Sequence, residues 1–415
     1  MRLPSIWPSL AALLLVACVS TAEPSATSVG VTPPPPDAES ATPVVAETSP
    51  PTSEPTDTIQ ATVEPTATQE LLLLGPDEYS EGINPLTGLP FQNPEAAERR
   101  PVVVKVSNES VEVRPLSGYS FAEHLWLYQM EGWGQTRFSA VFLDDLPEMV
   151  GSVRSVRPID TDLLIPMYDG LFVYSGASIG MSFYFQSETP YWDRAFRELP
   201  DRDHLVRLED VPREGVARYH RLFAFPEKVL EFAQERGNYE REAPLRGLAF
   251  DETPPPGGSE TSEVTVLYES FFGGRFRFEF DETSGEWLFY YMDRKERDPV
   301  EMPEIDYLTG EQLSFDNIVI LYAEHNFTSW VEDADSGVPA IDIDFMGEGG
   351  GYLLRDGQVY DITWEHDEGT LGQFIALFDG NGDVIPLRPG QTIFVTSITP
   401  DQNVYGQYAA TITFE

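Results

Sequence analysis

The chain has 415 residues and a formal net charge of −43, from 69 acidic and 26 basic side chains. This length accommodates two ordinary domains and a tail. The charge argues against nucleic acid as a partner, because phosphate binding requires a basic surface that releases counterions. An acidic surface instead favours solubility and repels anionic surfaces.

Residues 1–18 are typical of a secretory signal, with a single charge at Arg2 and an apolar run from Leu10 to Val16. The run is too short to span a bilayer comfortably. Its end, Leu15-Val16-Ala17-Cys18, resembles the lipobox of bacterial lipoproteins, in which the cysteine is lipidated. Cys18 is also the only cysteine, so an intrachain disulfide and a thiol catalyst are excluded. We therefore expect a lipid anchor at Cys18 that holds the protein on the outer face of the bacterial cytoplasmic membrane.

Residues 19–80 are dominated by Pro, Ser, Thr, Ala and Glu and lack apolar periodicity. Such a segment cannot bury enough surface to offset its ordering entropy, which predicts a disordered, solvated tether. Leu71–Leu74 is an apolar exception that we expect to dock against the first domain. The ordered part is expected to begin near Asn84.

Residues 81–252 mix strand and helix patterns and are predicted to form an α/β domain. β-branched and apolar runs predict strands at Pro101–Ser107, Trp126–Met130, Thr136–Leu143 and Leu171–Tyr174. Capping-box spacing at Ser120–Glu123 predicts a short helix after it. Further helices are expected from Pro158 to Met167, from Met181 onward, and over Phe225–Arg236.

The Pro- and Gly-rich stretch 253–262 is the predicted linker, and residues 263–415 are predicted to form a mostly β domain. Asp356-Gly357 lies between two strand patterns and is a strong hairpin signal. The expected fold class is therefore α+β, with a mixed α/β domain followed by a mostly β domain. Strands are expected at Val264–Tyr268, Phe276–Phe280, Trp287–Tyr291, Asn317–Tyr322, Ile341–Phe345, Gly351–Leu354, Gln358–Thr363 and Ile393–Ser397.

The sequence resembles the YerB-like lipoprotein family, because many of its short motifs occur in the same order as in that family. The family is defined by a domain of unknown function. The motifs include INPLTGLP, PVVVKVSN, VRPLSGYSFAEH, GSVRSVRPIDTDL, LTGEQLSFDNIVILYAEH and FDGNGDVIPLRPGQTIFV. The resemblance covers nearly all of residues 83–400 and implies a two-domain extracytoplasmic lipoprotein without an established activity. Ser107 stands where the family usually has an acid, and Tyr219 replaces a usual proline.

The polar residues that match the family's motifs form the predicted ligand site. Arginine suits phosphate or carboxylate because its planar guanidinium makes bidentate, charge-assisted hydrogen bonds. Backbone N–H groups at the helix start after Pro158 would add to an anion site. The alternative is that the arginines form buried structural salt bridges with Glu131, Asp160 and Asp162. The predicted site comprises Arg114, Glu131, Arg137, Arg154, Arg157, Asp160 and His220.

Gly176-Ala177-Ser178-Ile179-Gly180 fits the G-x-S-x-G pattern between a predicted strand and helix, as in a nucleophile elbow. A triad would recruit Asp201 or Asp203 with His204 or His220. Against this hypothesis, the downstream half lacks alternating β and α segments and the family resemblance implies no hydrolase, so a glycine-permitted turn is the simpler explanation of the pattern. Ser178 and His220 are thus weak catalytic candidates.

Asp379–Asp383 resembles the start of a calcium loop, but position twelve is Gly390 where a bidentate Glu is needed. We expect a hairpin turn there, and we predict no metal and no cofactor. The favoured hypothesis is a non-enzymatic, lipid-anchored protein that binds an anionic envelope ligand or a protein partner through the arginines. The alternative is an envelope-acting hydrolase that uses Ser178 or the arginine pocket.

Overall fold

Strands dominate the fold and are distributed over three sheets. The computed structural model describes residues 73–109, 111–131, 135–209, 216–268, 274–292, 300–333, 337–367, 370–400, 402 and 410–415. The predicted signal peptide, Cys18 and the tether up to residue 72 lie outside the described residues. Residues 68–415 belong to one compact unit, which therefore contains both predicted domains and the linker at 253–262.

The elements in chain order confirm the predicted α+β class. The helices are Asp160–Leu164, which is a π-helical turn running into α1 (Ile165–Tyr168), then α2 (Ile179–Ser187) and α3 (Pro226–Arg236). Short 3₁₀ helices span Pro94–Ala97, Val111–Val113, Tyr119–Phe121, Trp192–Arg194 and Arg218–His220. The strands are β1 Val102–Ser107, β2 His124–Gln129, β3 Thr136–Phe142, β4 Val150–Gly151, β5 Leu171–Val173, β6 Ala195–Phe196, β7 Leu205–Arg207, β8 Leu222–Ala224, β9 Ser259–Glu260, β10 Glu263–Tyr268, β11 Arg275–Asp281, β12 Glu286–Met292, β13 Glu301–Pro303, β14 Ser314–Phe315, β15 Asn317–Asp333, β16 Val338–Asp344, β17 Gly347–Arg355, β18 Gln358–His366, β19 Ala376–Phe378, β20 Thr392–Ile398 and β21 Ala410–Phe414.

The largest sheet has twelve strands and contains strands from both predicted domains. Its central path runs β19-β18-β17-β15-β20-β2-β3-β1-β5-β6, with β16 paired to β15 and β9 to β18. A six-stranded sheet follows the path β13-β12-β11-β10-β21, with β14 paired to β12, and a three-stranded sheet runs β4-β8-β7. The second and third sheets are antiparallel throughout.

Strand β20 joins the two halves of the sequence because it pairs in parallel with β15 on one side and β2 on the other. All seven of its residues are buried. Phe394 of β20 stacks on Trp126 of β2, with ring centroids 4.5 Å apart and planes within 9°. Such aromatic pairs contribute about 0.5–1.5 kcal/mol beyond the area they bury. A strand from the end of the chain thus completes the sheet begun by the first half.

The central sheet is covered on both faces. This explains why consecutive residues of a strand such as β1 are apolar, rather than only every second residue. Along β1, Val103 belongs to one buried cluster while Val102 and Val104 belong to another. The first cluster includes the helical stretch around Leu164, and the second includes Phe278 of the six-stranded sheet. Successive strand side chains point to opposite faces, so each face supplies one half of the core.

Most predicted elements are confirmed within one to a few residues, and the Asp356-Gly357 hairpin is present. Asp356 and Gly357 have φ values of 52° and 68°, and they connect β17 directly to β18 with Arg355 paired to Gln358. Positive φ at both central residues is the type I′ geometry that matches the twist of antiparallel strands. The predicted turn at Asp379–Asp383 is also present, since the Asp379 side chain accepts hydrogen bonds from the Asn381 and Asp383 amides.

The short helix predicted after Ser120 is wrong. β2 begins at His124, and the two residues of the capping box bind elsewhere. The Ser120 hydroxyl donates to Asp306 at 3.0 Å, and Glu123 accepts from the amides of Leu143 and Asp144 at 2.8 and 2.6 Å. Long-range partners therefore replace the local cap on which the prediction depended.

The folded part begins before the predicted start near Asn84. Leu74 and Phe250 exchange backbone hydrogen bonds of 3.0 and 2.8 Å, and the Tyr79 hydroxyl donates to the Leu248 carbonyl at 2.6 Å. Leu74 packs against the core, which confirms that the end of the apolar Leu71–Leu74 run docks on the first domain's residues. Residues 73–80 are thus attached to the folded unit.

Candidate functional site

A layer of polar side chains lies on one face of the central sheet, next to the apolar cluster around Val103. The alternation of strand side chains places Lys105 of β1, Tyr128 of β2 and Ser139 of β3 on the same face. All three are fully or almost fully buried, as is Asp160 at the start of the helical segment above them. Buried polar groups of this kind must satisfy one another, because water does not reach them.

Asp160 accepts four hydrogen bonds, which fill the acceptor capacity of both carboxylate oxygens. The Lys105 ammonium and the Arg157 amide donate to Oδ2 at 2.8 and 2.7 Å. The Tyr128 and Ser139 hydroxyls lie 3.0 Å from Oδ1. Lys105 also contacts the Tyr128 hydroxyl. Burial lowers the pKa of Lys105 to about 8, with Asp160 opposing the change, so the lysine remains charged near neutral pH.

The segment that carries Arg154 and Arg157 is positioned by backbone hydrogen bonds to the strands beside it. The Arg154 amide donates to the Lys105 carbonyl at 2.8 Å, and the Ser107 amide donates to the Ser152 carbonyl at 2.9 Å. The Ser175 amide donates in turn to the Arg154 carbonyl at 2.9 Å. Residues 152–157 therefore lie between the end of β1 and the turn after β5.

Two of the predicted arginines converge on a carboxylate that the sequence analysis did not select. Arg137 of β3 and Arg154 both donate to Oε1 of Glu109, the latter at 2.6 Å. His220 lies 3.5 Å from Glu109 and 3.5 Å from Glu112 through its Nε2 atom. We call Arg137, Arg154 and His220, arranged around Glu109, the arginine cluster.

The electrostatics of the cluster are dominated by its cations. Burial would raise the pKa of Glu109, but Arg137 and Arg154, with His220, outweigh it and hold the pKa at about 2. Burial lowers the pKa of the Arg137 guanidinium to about 10, against the opposing charge of Glu109. Burial also lowers the pKa of His220, with Glu109 acting in the opposite direction, and its buried Nδ1 has no hydrogen-bond partner among the described residues. The cluster is thus a strongly anion-attracting position that Glu109 fills.

Tyr219 covers the cluster from the solvent side. Its ring lies 5.2 Å from the Arg154 guanidinium and 4.3 Å from the ring of His220, and 54% of the residue is exposed. A guanidinium on an aromatic face gains about 0.5–1 kcal/mol at an exposed site. The tyrosine that departs from the family's usual proline therefore contacts two predicted site residues.

Arg157 belongs to a neighbouring set of ion pairs. Its guanidinium donates to Glu131 at 2.6 and 2.8 Å and lies 3.1 Å from Glu332 of β15. Burial would lower the pKa of Arg157, but Glu131 and Glu332 raise it overall. The predicted pairing with Glu131 is present for Arg157, whereas among the described residues no arginine side chain forms an ion pair with Asp160 or Asp162. Glu332 adds a carboxylate from the second half of the chain.

Arg114 lies farther along the chain after β1, beyond Glu109, and its side chain contacts Asn108 of the same stretch. Its guanidinium donates to Asn108 at 2.7 Å and to Glu304 at 3.0 and 2.6 Å, and it stacks on Tyr291 with 3.4 Å to the ring centroid. Two of these contacts come from the second half of the chain. Arg114 therefore joins the halves rather than the cluster around Glu109.

Ser178 is at the start of α2, but its hydroxyl is not paired with a histidine among the described residues. It accepts from the Met181 amide at 3.1 Å as the helix N-cap and donates to Glu332 at 2.7 Å. Gly180 has a packing role, since a Cβ atom there would lie 2.4 Å from the Trp330 ring. His204 and His220 instead contact the Arg197 carbonyl and Glu109. The geometry gives no support to a serine hydrolase.

The structure brings together most of the predicted site but adds residues that sequence reasoning missed. Positions 105, 107 and 109 are two residues apart, which is the period at which strand side chains return to the same face. Extending this period from Lys105 beyond Ser107 could have identified Glu109. Lys105 lay within the predicted strand, where a charge in an apolar run signals a buried partner. Glu332 carries no local signal, because its proximity to Arg157 arises only from sheet pairing across the halves.

Two family models match the chain. The N-terminal domain of "Protein of unknown function (DUF3048)" matches residues 86–239, and its C-terminal domain matches residues 266–394. The chain therefore belongs to this family, the YerB-like family whose motifs the sequence resembles.

A relative from Bacillus subtilis strain 168, named "Putative lipoprotein YerB", is 27% identical over 330 residues, covering 79% of this chain and 88% of its own length. A crystal structure of the YerB protein from Bacillus subtilis has a TM-score of 0.60 and 26% identity, over 80% of this chain and 99% of that one. Among the described residues, no helix is both long and apolar enough to cross a membrane. The chain is thus similar to a protein named as a lipoprotein.

The buried Lys105–Asp160 pair should be strongly coupled. Lys105→Met leaves the Asp160 carboxylate buried without its counter-charge, which costs about 3–5 kcal/mol of the free energy of unfolding. In Lys105→Met/Asp160→Asn the uncompensated charge is absent, so we expect a coupling energy of about 1–3 kcal/mol in urea unfolding at pH 7. The exposed Arg207–Glu198 pair, treated in the same way, should show little coupling. Additive effects at Lys105 and Asp160 would contradict the interpretation.

Glu109 should make stability depend on pH in acid. Its pKa is lowered in the folded protein from an ordinary value of 4.5 to about 2. Its contribution is therefore complete above pH 4.5 and is lost as pH falls towards 2. The difference in free energy of unfolding between wild type and Glu109→Gln should shrink over that interval by a few kcal/mol, since one pKa unit corresponds to about 1.4 kcal/mol. Urea unfolding of both proteins at several pH values measures it, and a constant difference would show that the cations do not act on Glu109.

Proposed function

We propose that the protein is a lipid-anchored, extracytoplasmic binding protein rather than an enzyme, and that it takes an oxyanion at the arginine cluster. The observation that carries the proposal is the convergence of Arg137, Arg154 and His220 on the single carboxylate of Glu109. The anion is a carboxylate or phosphate, carried either by an envelope component or by a protein partner.

Ligand binding at this cluster is an exchange of anions. Glu109 comes from the loop after β1 and its side chain is 13% exposed, whereas Arg137 is anchored in a buried strand. An incoming anion would replace the Glu109 carboxylate and leave the guanidinium groups paired. The alternative, a purely structural role, leaves Glu109 as the permanent partner of the arginines.

The exchange favours ligands with more than one negative charge. A monovalent carboxylate gains little, because it only replaces the identical group of Glu109. A phosphate monoester carries up to two negative charges and more acceptor oxygens, which suit bidentate arginine. Arg154 and Tyr219 lie on the solvent side, where a ligand would enter.

The lipid anchor is proposed from the lipobox-like end of residues 1–18 and from the similarity to a protein named as a lipoprotein. Because the chain has a single cysteine, labelling is specific to one position. Cells that make the wild-type protein should incorporate labelled fatty acid into it and retain it in the membrane fraction. Cys18→Ser should lose the label completely. A wild-type protein without label would refute the anchor, and label in Cys18→Ser would place the lipid elsewhere.

Removal of the competing carboxylate should strengthen anion binding. We expect isothermal titration of residues 68–415 with inorganic phosphate to show binding at least tenfold tighter for Glu109→Gln than for wild type. Acetate should bind more weakly than phosphate. Glu109→Gln/Arg154→Gln should lose the gain, because one of the two guanidinium groups is then absent.

Glu198→Gln is the matched control, since it removes a carboxylate from the surface pair with Arg207. It should bind phosphate as wild type does. If Glu109→Gln binds phosphate no more tightly than Glu198→Gln, the cluster is structural and the search moves to protein partners. Labelling of Ser178 by a fluorophosphonate would instead favour the hydrolase.

A further inference from the structure

An exposed aromatic ring lies next to the position where an anion would bind. Tyr219 is 54% exposed, and its ring lies 5.2 Å from the Arg154 guanidinium and 4.3 Å from the His220 ring. Arg154 donates in turn to the Glu109 carboxylate at 2.6 Å. One guanidinium group therefore separates the tyrosine from the carboxylate that an external anion would replace. A chemical group attached directly to that anion would reach the aromatic ring.

The tyrosine has both apolar and polar surface for a ligand. Tyr219 belongs to neither of the two buried apolar clusters, and its hydroxyl makes no hydrogen bond to a described residue. The Arg154 side chain is only 19% exposed, so the ring extends farther into solvent than the guanidinium beside it. The face of an aromatic ring is the negative end of its quadrupole, so it attracts the weakly positive C–H groups of a ligand.

A second carboxylate near His220 adds hydrogen-bond acceptors. The Glu112 side chain is 62% exposed, and its Oε2 atom lies 3.5 Å from Nε2 of His220. An ionised carboxylate only accepts hydrogen bonds, so it suits the hydroxyl groups of a ligand. A polyprenyl chain would gain from contact with Tyr219 but would bring no donor to Glu112. A pyranose ring has an apolar C–H face and hydroxyl groups at its edge, which match both residues.

We infer that the arginine cluster binds the phosphate of a phosphorylated sugar, whose ring stacks on Tyr219 while its hydroxyl groups donate to Glu112. This inference rests on the proposed exchange of Glu109 for an external anion and names the class of ligand that carries the anion. The arginines attract the phosphate, and Tyr219 sets the preference for a sugar. A free sugar phosphate and a sugar unit of a phosphodiester-linked polymer share this chemistry, and the test separates the two sources.

The test is isothermal titration of residues 68–415 carrying Glu109→Gln, at about pH 8, where a phosphate monoester carries two negative charges. The ligands are glucose 1-phosphate, glycerol 3-phosphate as an acyclic monoester, inorganic phosphate and glucose. Glucose 1-phosphate should bind about tenfold tighter than glycerol 3-phosphate, and glucose should not bind. Binding of the methyl diester of glucose 1-phosphate as well as the monoester indicates a polymer unit, whereas binding of the monoester alone indicates a free sugar phosphate.

Tyr219→Leu, made in the Glu109→Gln protein, keeps an apolar side chain but removes the flat ring. It should abolish the preference for glucose 1-phosphate and leave the affinity for inorganic phosphate unchanged. Tyr219→Phe retains the ring and should retain the preference. Tyr290→Leu is the matched control, because Tyr290 also lies beside a guanidinium, 4.1 Å from that of Arg277 in the six-stranded sheet. The control should bind every ligand as the Glu109→Gln protein does.

The outcomes separate this inference from the proposed function. If Glu109→Gln binds inorganic phosphate but shows no preference for glucose 1-phosphate, the anion site stands and the inference about the sugar is wrong. A preference that survives Tyr219→Leu also overturns the inference. If Glu109→Gln binds none of the phosphates, the anion-exchange proposal fails and this inference fails with it. Because Tyr219 is exposed, Tyr219→Leu should fold, and an unchanged melting temperature checks this.

Discussion

The ion pair between Lys105 and Asp160 is the interaction on which the rest of the site depends. Both groups are fully buried, and a charge without its partner in such a place is strongly unfavourable. The carboxylate can be satisfied only if Tyr128, Ser139 and the Arg157 amide converge on it, which fixes β2, β3 and the helix start relative to β1. The arginine-bearing segment is consequently held in one position before any ligand is present.

Arg137, Arg154 and Arg157 all lie close to this pair, yet each already has a carboxylate partner. Two partners, Glu109 and Glu131, come from loops after strands of the first half, and Glu332 comes from the second half. The same geometry therefore suits structural pairing and anion exchange. Among these three carboxylates, Glu109 alone is paired with two guanidinium groups, which creates a position for an anion regardless of which anion fills it.

The sequence predicts local secondary structure better than it predicts which distant residues contact one another in the fold. Alternating apolar residues and the Asp356-Gly357 turn identify strands and a hairpin because these depend on neighbours along the chain. The capping-box prediction at Ser120 fails because Asp306, 186 residues away, takes the hydroxyl. Insertion of β20 beside β2 likewise has no local signal. Arg154 and Arg157 could be selected by residue type, but the carboxylates that complete their environment are set by long-range pairing.

A crystal structure of Glu109→Ala soaked in phosphate examines the anion-exchange proposal most directly. Exchange requires a phosphate in the place of the lost carboxylate, within hydrogen-bond distance of both Arg137 and Arg154, with the Lys105–Asp160 pair unchanged. If the guanidinium groups instead turn to other carboxylates such as Glu112 and no anion is bound between them, the cluster is a structural network and the anion-binding proposal is wrong.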